Sequence, residues 1–218
     1  MSPDLVRSLV LYLVPMILSL SVHEFAHAFV AKKLGDDTAE QEDRVTLSPL
    51  AHIDPLGTLV VPALSILFSG VAFLGWARPV PVNPARFRRG VNMRTGMAIV
   101  AAAGPLSNLV LAVISVGLIV VLRKHGLLVG PKGEAIATLL GATFSVNIGL
   151  CVFNFLPIPP LDGSRVLPRS MDDLVERAGA YSTYLIMAVV MIPFLREPLL
   201  DWPMRHLRHA ILSLFGLA

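Results

Sequence analysis

His23 and His27 stand four residues apart, and Glu24 follows the first directly. On a helix, that spacing sets both imidazoles on one face, one turn apart. Two nitrogens so placed can share a single zinc ion. Glu24 points off that line and cannot be a third ligand from the same face. It can take a proton from a water at the metal, because zinc lowers the pKa of such a water to about 7. The chemistry open to this set is hydrolysis with a carboxylate base. A solvated helix face can carry the same residues by chance. Here all three lie in an apolar run over 5–30, where an ionisable group is costly unless paired or metal-bound.

A catalytic zinc site uses three protein ligands and keeps one position open. The third must come from elsewhere in the chain. Asp162 stands in Asn154-Phe155-Leu156-Pro157-Ile158-Pro159-Pro160-Leu161-Asp162-Gly163, at the end of an apolar run and after prolines that must unwind a helix. It is either that ligand or the N-cap of a helix starting near Ser164. Spacing does not choose between them. Cys151 is the lone cysteine, so the chain has no internal disulfide and no thiolate zinc site. It reads as a small buried apolar residue.

The elements that must position these groups follow from composition. The chain has 218 residues, 55% hydrophobic and 15% charged, with mean hydropathy +0.71. A soluble domain carries about 25% charged residues. The deficit, gathered into long apolar runs, indicates an integral membrane protein in a lipid bilayer. The net charge of +3 is spread over short loops, where basic residues report orientation; no nucleic-acid partner is expected. The first run lacks the basic start and cleavage site of a signal peptide, so it is expected to be retained.

A helix needs about 20 residues to cross the hydrocarbon core. Candidate runs cover 5–34, 56–74, 97–122, 135–156 and 180–195, and the tail 205–218 suits an interfacial helix. The expected fold is all-α: a polytopic membrane helix bundle with an unwound segment at 157–162. The prolines of Arg78-Pro79-Val80-Pro81-Val82-Asn83 forbid a helix and predict an extended loop at 78–83. That loop is either a surface connection or an edge for strand addition to an unwound substrate. One domain is expected over 1–218, with a catalytic core at about 5–167 and a C-terminal span and tail at about 179–218.

Three motifs now stand in order: His23-Glu24-x-x-His27, then Ala103-Gly104-Pro105-Leu106-Ser107-Asn108, then Asn154-x-x-Pro157-x-Pro159-x-Leu161-Asp162-Gly163. Together they resemble the site-2 protease family of intramembrane zinc metalloproteases, in its compact prokaryotic form without a PDZ domain. The likeness covers roughly 13–167. It implies one Zn2+ per chain held by His23, His27 and Asp162, with Glu24 as catalytic base. It also implies that Asn154 stands near the substrate carbonyl, and that the substrate is a transmembrane protein cut in or next to its membrane segment. The alternatives are a membrane zinc hydrolase of short peptides or other amides, and a non-catalytic metal-binding scaffold. Gly104-Pro105 reads as a kink or close helix contact, or else as part of the active site; Asn108 reads as helix–helix glue or a substrate contact, and Asn154 alternatively as glue. His52 reads as a loop residue or a gating group, and His206 and His209 as interfacial.

A constraint on topology follows. His23, His27 and Asp162 meet most easily if the first and fourth runs point the same way. Five crossings would make them antiparallel, so one intervening run must fail to cross. A re-entrant 56–74 satisfies this. It also places eleven of the eighteen Lys and Arg residues on one face, which favours a cytoplasmic position for that face and an active site nearer to it.

Overall fold

The structure is a computed structural model that describes residues 3–69 and 75–217. Helix α1 (Pro3–Leu34) is one continuous apolar helix carrying the His23 motif. It stops at Gly35, whose φ of +110° suits glycine alone, and a Cβ there would strike the backbone of Arg88. Two short helices, α2 (Thr38–Gln41) and α3 (Pro49–His52), sit in the following loop. A π-helical turn (Pro55–Val60) then leads into α4 (Val61–Ser69).

Helix α5 (Met93–Lys124) begins at Asn92, whose side chain accepts from the amides of Arg94 and Thr95. Helix α6 (Gly130–Asn154) follows. The C-terminal part holds α7 (Asp172–Ala180), α8 (Ser182–Met191), α9 (Pro193–Arg196) and α10 (Trp202–Leu214). No strand occurs among the described residues. The expected all-α polytopic bundle is the architecture found.

α1, α5 and α6 are the three helices long and apolar enough to cross a membrane, and they pack on one another. Even α6, with 25 residues, reaches about 37 Å, more than the roughly 30 Å hydrocarbon core. The loop after α4 returns to the end of α1, where Arg88 N–H donates to Leu34 O at 2.8 Å. α5 therefore runs back beside α1, and a short turn sends α6 parallel to α1.

The second apolar run does not cross. Its residues 70–74 lie outside the described residues, but its ends are pinned together. Trp76 N–H donates to Gly57 O at 3.2 Å, and Arg78 N–H donates to His52 O at 2.9 Å. The chain thus returns to the place it left, as the parallel arrangement of α1 and α6 demands.

The expected span over 180–195 is broken. α8 has ten residues, about 15 Å of helix, and the chain from Pro193 to Leu214 turns 92° from it. Pro193 has no amide to continue the helix. The tail is helical from Trp202 onward, as an amphipathic element. Arg205, His206, Arg208 and His209 are exposed, and Ile211 is buried against Ala112, Val116, Phe144 and Ile148.

Candidate metal centre

α1 delivers His23 and His27 to one face, and both are buried. α6 ends at Asn154, and the proline-rich stretch behind it is unwound, as expected. The chain then doubles back so closely that a Cβ at Gly163 would fall on the carbonyls of Phe155 and Leu156. Asp162 is the first residue of a 3-10 turn (Asp162–Arg165), and the N-cap position before it is held by Leu161. Its carboxylate turns to α1 instead, so the N-cap alternative is set aside.

Asp162 Oδ2 lies 3.1 Å from His23 Nε2 and 3.3 Å from His27 Nε2, and the two Nε2 atoms are 3.0 Å apart. Ligands about 2.05 Å from a tetrahedral zinc stand about 3.3 Å from one another. The donor set matches that spacing, and it forms a group that could hold a metal ion.

The proton positions support the same fit. His27 Nδ1 is 2.7 Å from Val100 O, a carbonyl that can only accept, so Nδ1 carries the proton and Nε2 a lone pair. For His23 the assignment starts at Thr143 O. Asn147 Nδ2 must donate to it, at 2.9 Å, and also donates to Ser19 Oγ. Asn147 Oδ1 is then the acceptor for Asn108 Nδ2, at 2.8 Å. Asn108 Oδ1 therefore faces His23 Nδ1, at 2.7 Å, and fixes the proton there. Two imidazole lone pairs and a carboxylate oxygen converge with no proton between the nitrogens. A bound cation would relieve that arrangement.

α5 closes the other side. A Cβ at Gly104 would collide with the ring of His27 and approach His23 Cε1, so glycine is needed for helix and ligands to meet. Gly104 is therefore a close-contact residue, as one of its two readings held. Asn108 is buried glue between α1, α5 and α6, and it also orients a ligand. Asn147, which does the same one step removed, was missed by sequence reasoning. Its signal was present as an amide in the middle of an apolar helix.

Glu24 is buried next to the ligands, and its Oε2 accepts from Val80 N–H at 3.0 Å. That bond places the extended segment 75–83 across the site. The segment is tied down at further points. Arg44 Nη2 donates to Arg78 O at 2.6 Å, and Asn83 N–H donates to Asp36 Oδ2 at 2.6 Å. His52 is buried and supports this segment through its carbonyl, while its Nε2 donates to Thr46 O. His206 donates to Trp202 O within the exposed part of α10. Asn154 donates to Leu150 O at 3.0 Å and lines a cavity of about 670 Å³ together with His23, Glu24, His27 and Asp162.

The chain is similar in sequence to known proteins. Residues 11–195 match Peptidase family M50. YwhC of Bacillus subtilis strain 168, whose name marks it as a candidate zinc metalloprotease, is 39% identical over 96% of this chain and 93% of its own length. Rip2 of Mycolicibacterium smegmatis, named likewise, is 33% identical over 84% of this chain and 67% of its own. No solved structure matches significantly. This integral membrane chain belongs to peptidase family M50, as a zinc metalloprotease.

Proposed function

We propose that the chain is an endopeptidase that cuts peptide bonds in, or next to, a transmembrane segment of another protein. The observation that carries this reading is the position of the donor set. His23 and His27 lie inside a 30-residue apolar helix, at a cavity bounded by all three spanning helices. A peptide reaching these residues must leave its helical form, since backbone groups are exposed for attack only where the helix unwinds.

His23, His27 and Asp162 would hold the zinc, which when bound would polarise the scissile carbonyl and acidify water. Glu24 takes the proton of the attacking water and delivers it to the leaving amine. Val80 N–H holds one oxygen of Glu24 and so keeps the carboxylate aimed. Asn154 spends one N–H on Leu150 O, and its second N–H is available to the oxyanion that forms at the carbonyl. The extended segment 78–83 offers backbone groups beside Glu24 on which an unwound substrate can align.

The basic loops supply an orientation. The loop between α1 and α5 and the loop after Asp162 lie at one end of the bundle, joined by Arg94 to Leu167 O and Asp172. That end is assigned to the cytoplasm of a prokaryotic cell, because it holds most of the Lys and Arg residues.

The test is Glu24→Gln in detergent or liposomes, measuring zinc content and cleavage of a transmembrane substrate beside a short soluble peptide. The variant is expected to retain zinc and lose cleavage by at least a thousandfold. Wild-type activity in the variant would sink the assignment of the base. Cleavage of the short peptide alone would favour the peptide-hydrolase alternative.

A further inference from the structure

The cavity extends well beyond the metal centre. On α1 its lining runs from His27 and His23 back to Leu11, and on α6 from Asn154 back to Ala142. From Leu11 to His23 is twelve residues, about 18 Å along the helix, and Ala142 to Asn154 covers the same length. Because α1 and α6 are parallel, the two walls extend in one direction, away from the basic end. Met16, Leu20 and Ala77 form a packed floor, with Val146 and Leu150 against them. Leu200 and Met204 from the C-terminal part border the other side. The result is an apolar trough about three helical turns long that opens directly into the catalytic site.

The α6 wall is low. Ala142, Ser145 and Gly149 line it, and a Cβ added at Gly149 would meet no atom within 4 Å. Nothing in the fold requires glycine at 149. Its Cα sits in ordinary helix, where a larger residue is favoured over glycine. The space above it is therefore available to something other than this chain's own side chains.

We infer that this trough is the docking subsite for the helical half of the substrate's transmembrane segment. About twelve residues of intact apolar helix lie between α1 and α6, and the chain unwinds only where it reaches segment 78–83 and the metal centre. The inference rests on the intramembrane reading above and adds the part of the substrate that is recognised. The occupant is argued from continuity, because the trough and the catalytic cavity are one space, and from length. An 18 Å trough covers more than half of a roughly 30 Å core, as one half of a spanning helix would. Small residues at 142, 145 and 149 permit close helix approach in a lipid setting, where van der Waals packing drives association.

Gly149→Leu fills the trough and leaves the metal ligands untouched. Gly141→Leu is the control: it also meets no atom within 4 Å, and it does not line the cavity. Both variants are reconstituted in liposomes with zinc content measured. Gly149→Leu is expected to bind zinc like wild type and to cleave a transmembrane substrate at least tenfold more slowly, chiefly through a higher KM. Gly141→Leu is expected to match wild type. In a Glu24→Gln, Cys151→Ser background, Gly149→Cys is expected to cross-link to cysteines placed on one side of the scissile bond only. Unchanged cleavage by Gly149→Leu, or cross-links on both sides, would overturn the inference and leave the trough to lipid. Failure of wild-type protein to cut any transmembrane substrate would instead overturn the underlying reading.

Discussion

Asn108 is the residue at which two substitutions, to Ala and to Asp, should separate metal affinity from folding. Its Oδ1 accepts from His23 Nδ1 at 2.7 Å, and its Nδ2 donates to Asn147 Oδ1 at 2.8 Å and Ser19 O at 3.3 Å. Asn108→Ala leaves His23 Nδ1–H buried without an acceptor and frees the ring to turn. Losing the outer partner of a ligand histidine typically weakens metal binding by about 10- to 100-fold, or roughly 1.4–2.8 kcal/mol. The three lost hydrogen bonds also hold helices together, and such bonds in membranes average about 0.6 kcal/mol. The fold should then lose about 2 kcal/mol, partly offset by the better helix propensity of alanine. Asn108→Asp is the complement. It keeps an acceptor for His23 but cannot donate to Asn147 or Ser19, so zinc affinity should hold while the bundle loosens. The assay is zinc competition with a chromophoric chelator, beside thermal unfolding in the same detergent. Zinc affinity for Asn108→Ala within about twofold of wild type would refute the relay, since a 10-fold loss is the smallest effect it allows.

Gly104→Ala should abolish stoichiometric zinc binding while far-ultraviolet circular dichroism stays helical, because the new methyl occupies the space of the His27 ring; a zinc-replete variant would sink that account. Zinc at 100 times its dissociation constant should stabilise the fold by about 2.7 kcal/mol, read as a rise in the unfolding midpoint that chelation reverses. Equal midpoints with and without chelator would mean the three donors are not a site. Single cysteines at Gln41 and Arg78, in a Cys151→Ser background, should label from the same side of the membrane in sealed vesicles, as the Arg78–His52 hydrogen bond requires. Labelling from opposite sides would make the second apolar run a true crossing.

What was legible in the sequence was what carries a cost in lipid. Ionisable groups at 23, 24 and 27 inside an apolar run announce themselves, because nothing but a partner or a metal makes them tolerable there. The prolines at 157, 159 and 160 announce an unwound stretch for the same reason, since each removes a helix donor. The re-entrant second run was also legible, but only as a consequence. It came from requiring His27 and Asp162 to meet, not from any feature of 56–74 itself, whose hydropathy resembles that of a span.

The parts that were not legible depend on distances between helices. Pro105 marks Gly104 as a kink or close contact, but nothing local says that the ligand rings press against it, or that Gly149 faces open space. Asn147 stands out as an amide in an apolar helix, but its link to the site is hidden because it touches no ligand. Its role appears only when its carboxamide is oriented by Thr143 O and passes that orientation through Asn108 to His23. The break at Pro193 was visible as a proline, but the 92° turn that follows depends on where Leu200 and Ile211 find cover in the bundle. A motif states which atoms would bind a metal. Which lone pairs face inward is decided by Val100 O, which touches His27 directly, and by Thr143 O, which acts on His23 through Asn147 and Asn108; neither carbonyl belongs to a motif. A designed copy of the three motifs on other apolar helices would therefore bind zinc weakly unless it also reproduced Val100 O, which sets the His27 ring, and Asn147, which orients Asn108 toward His23.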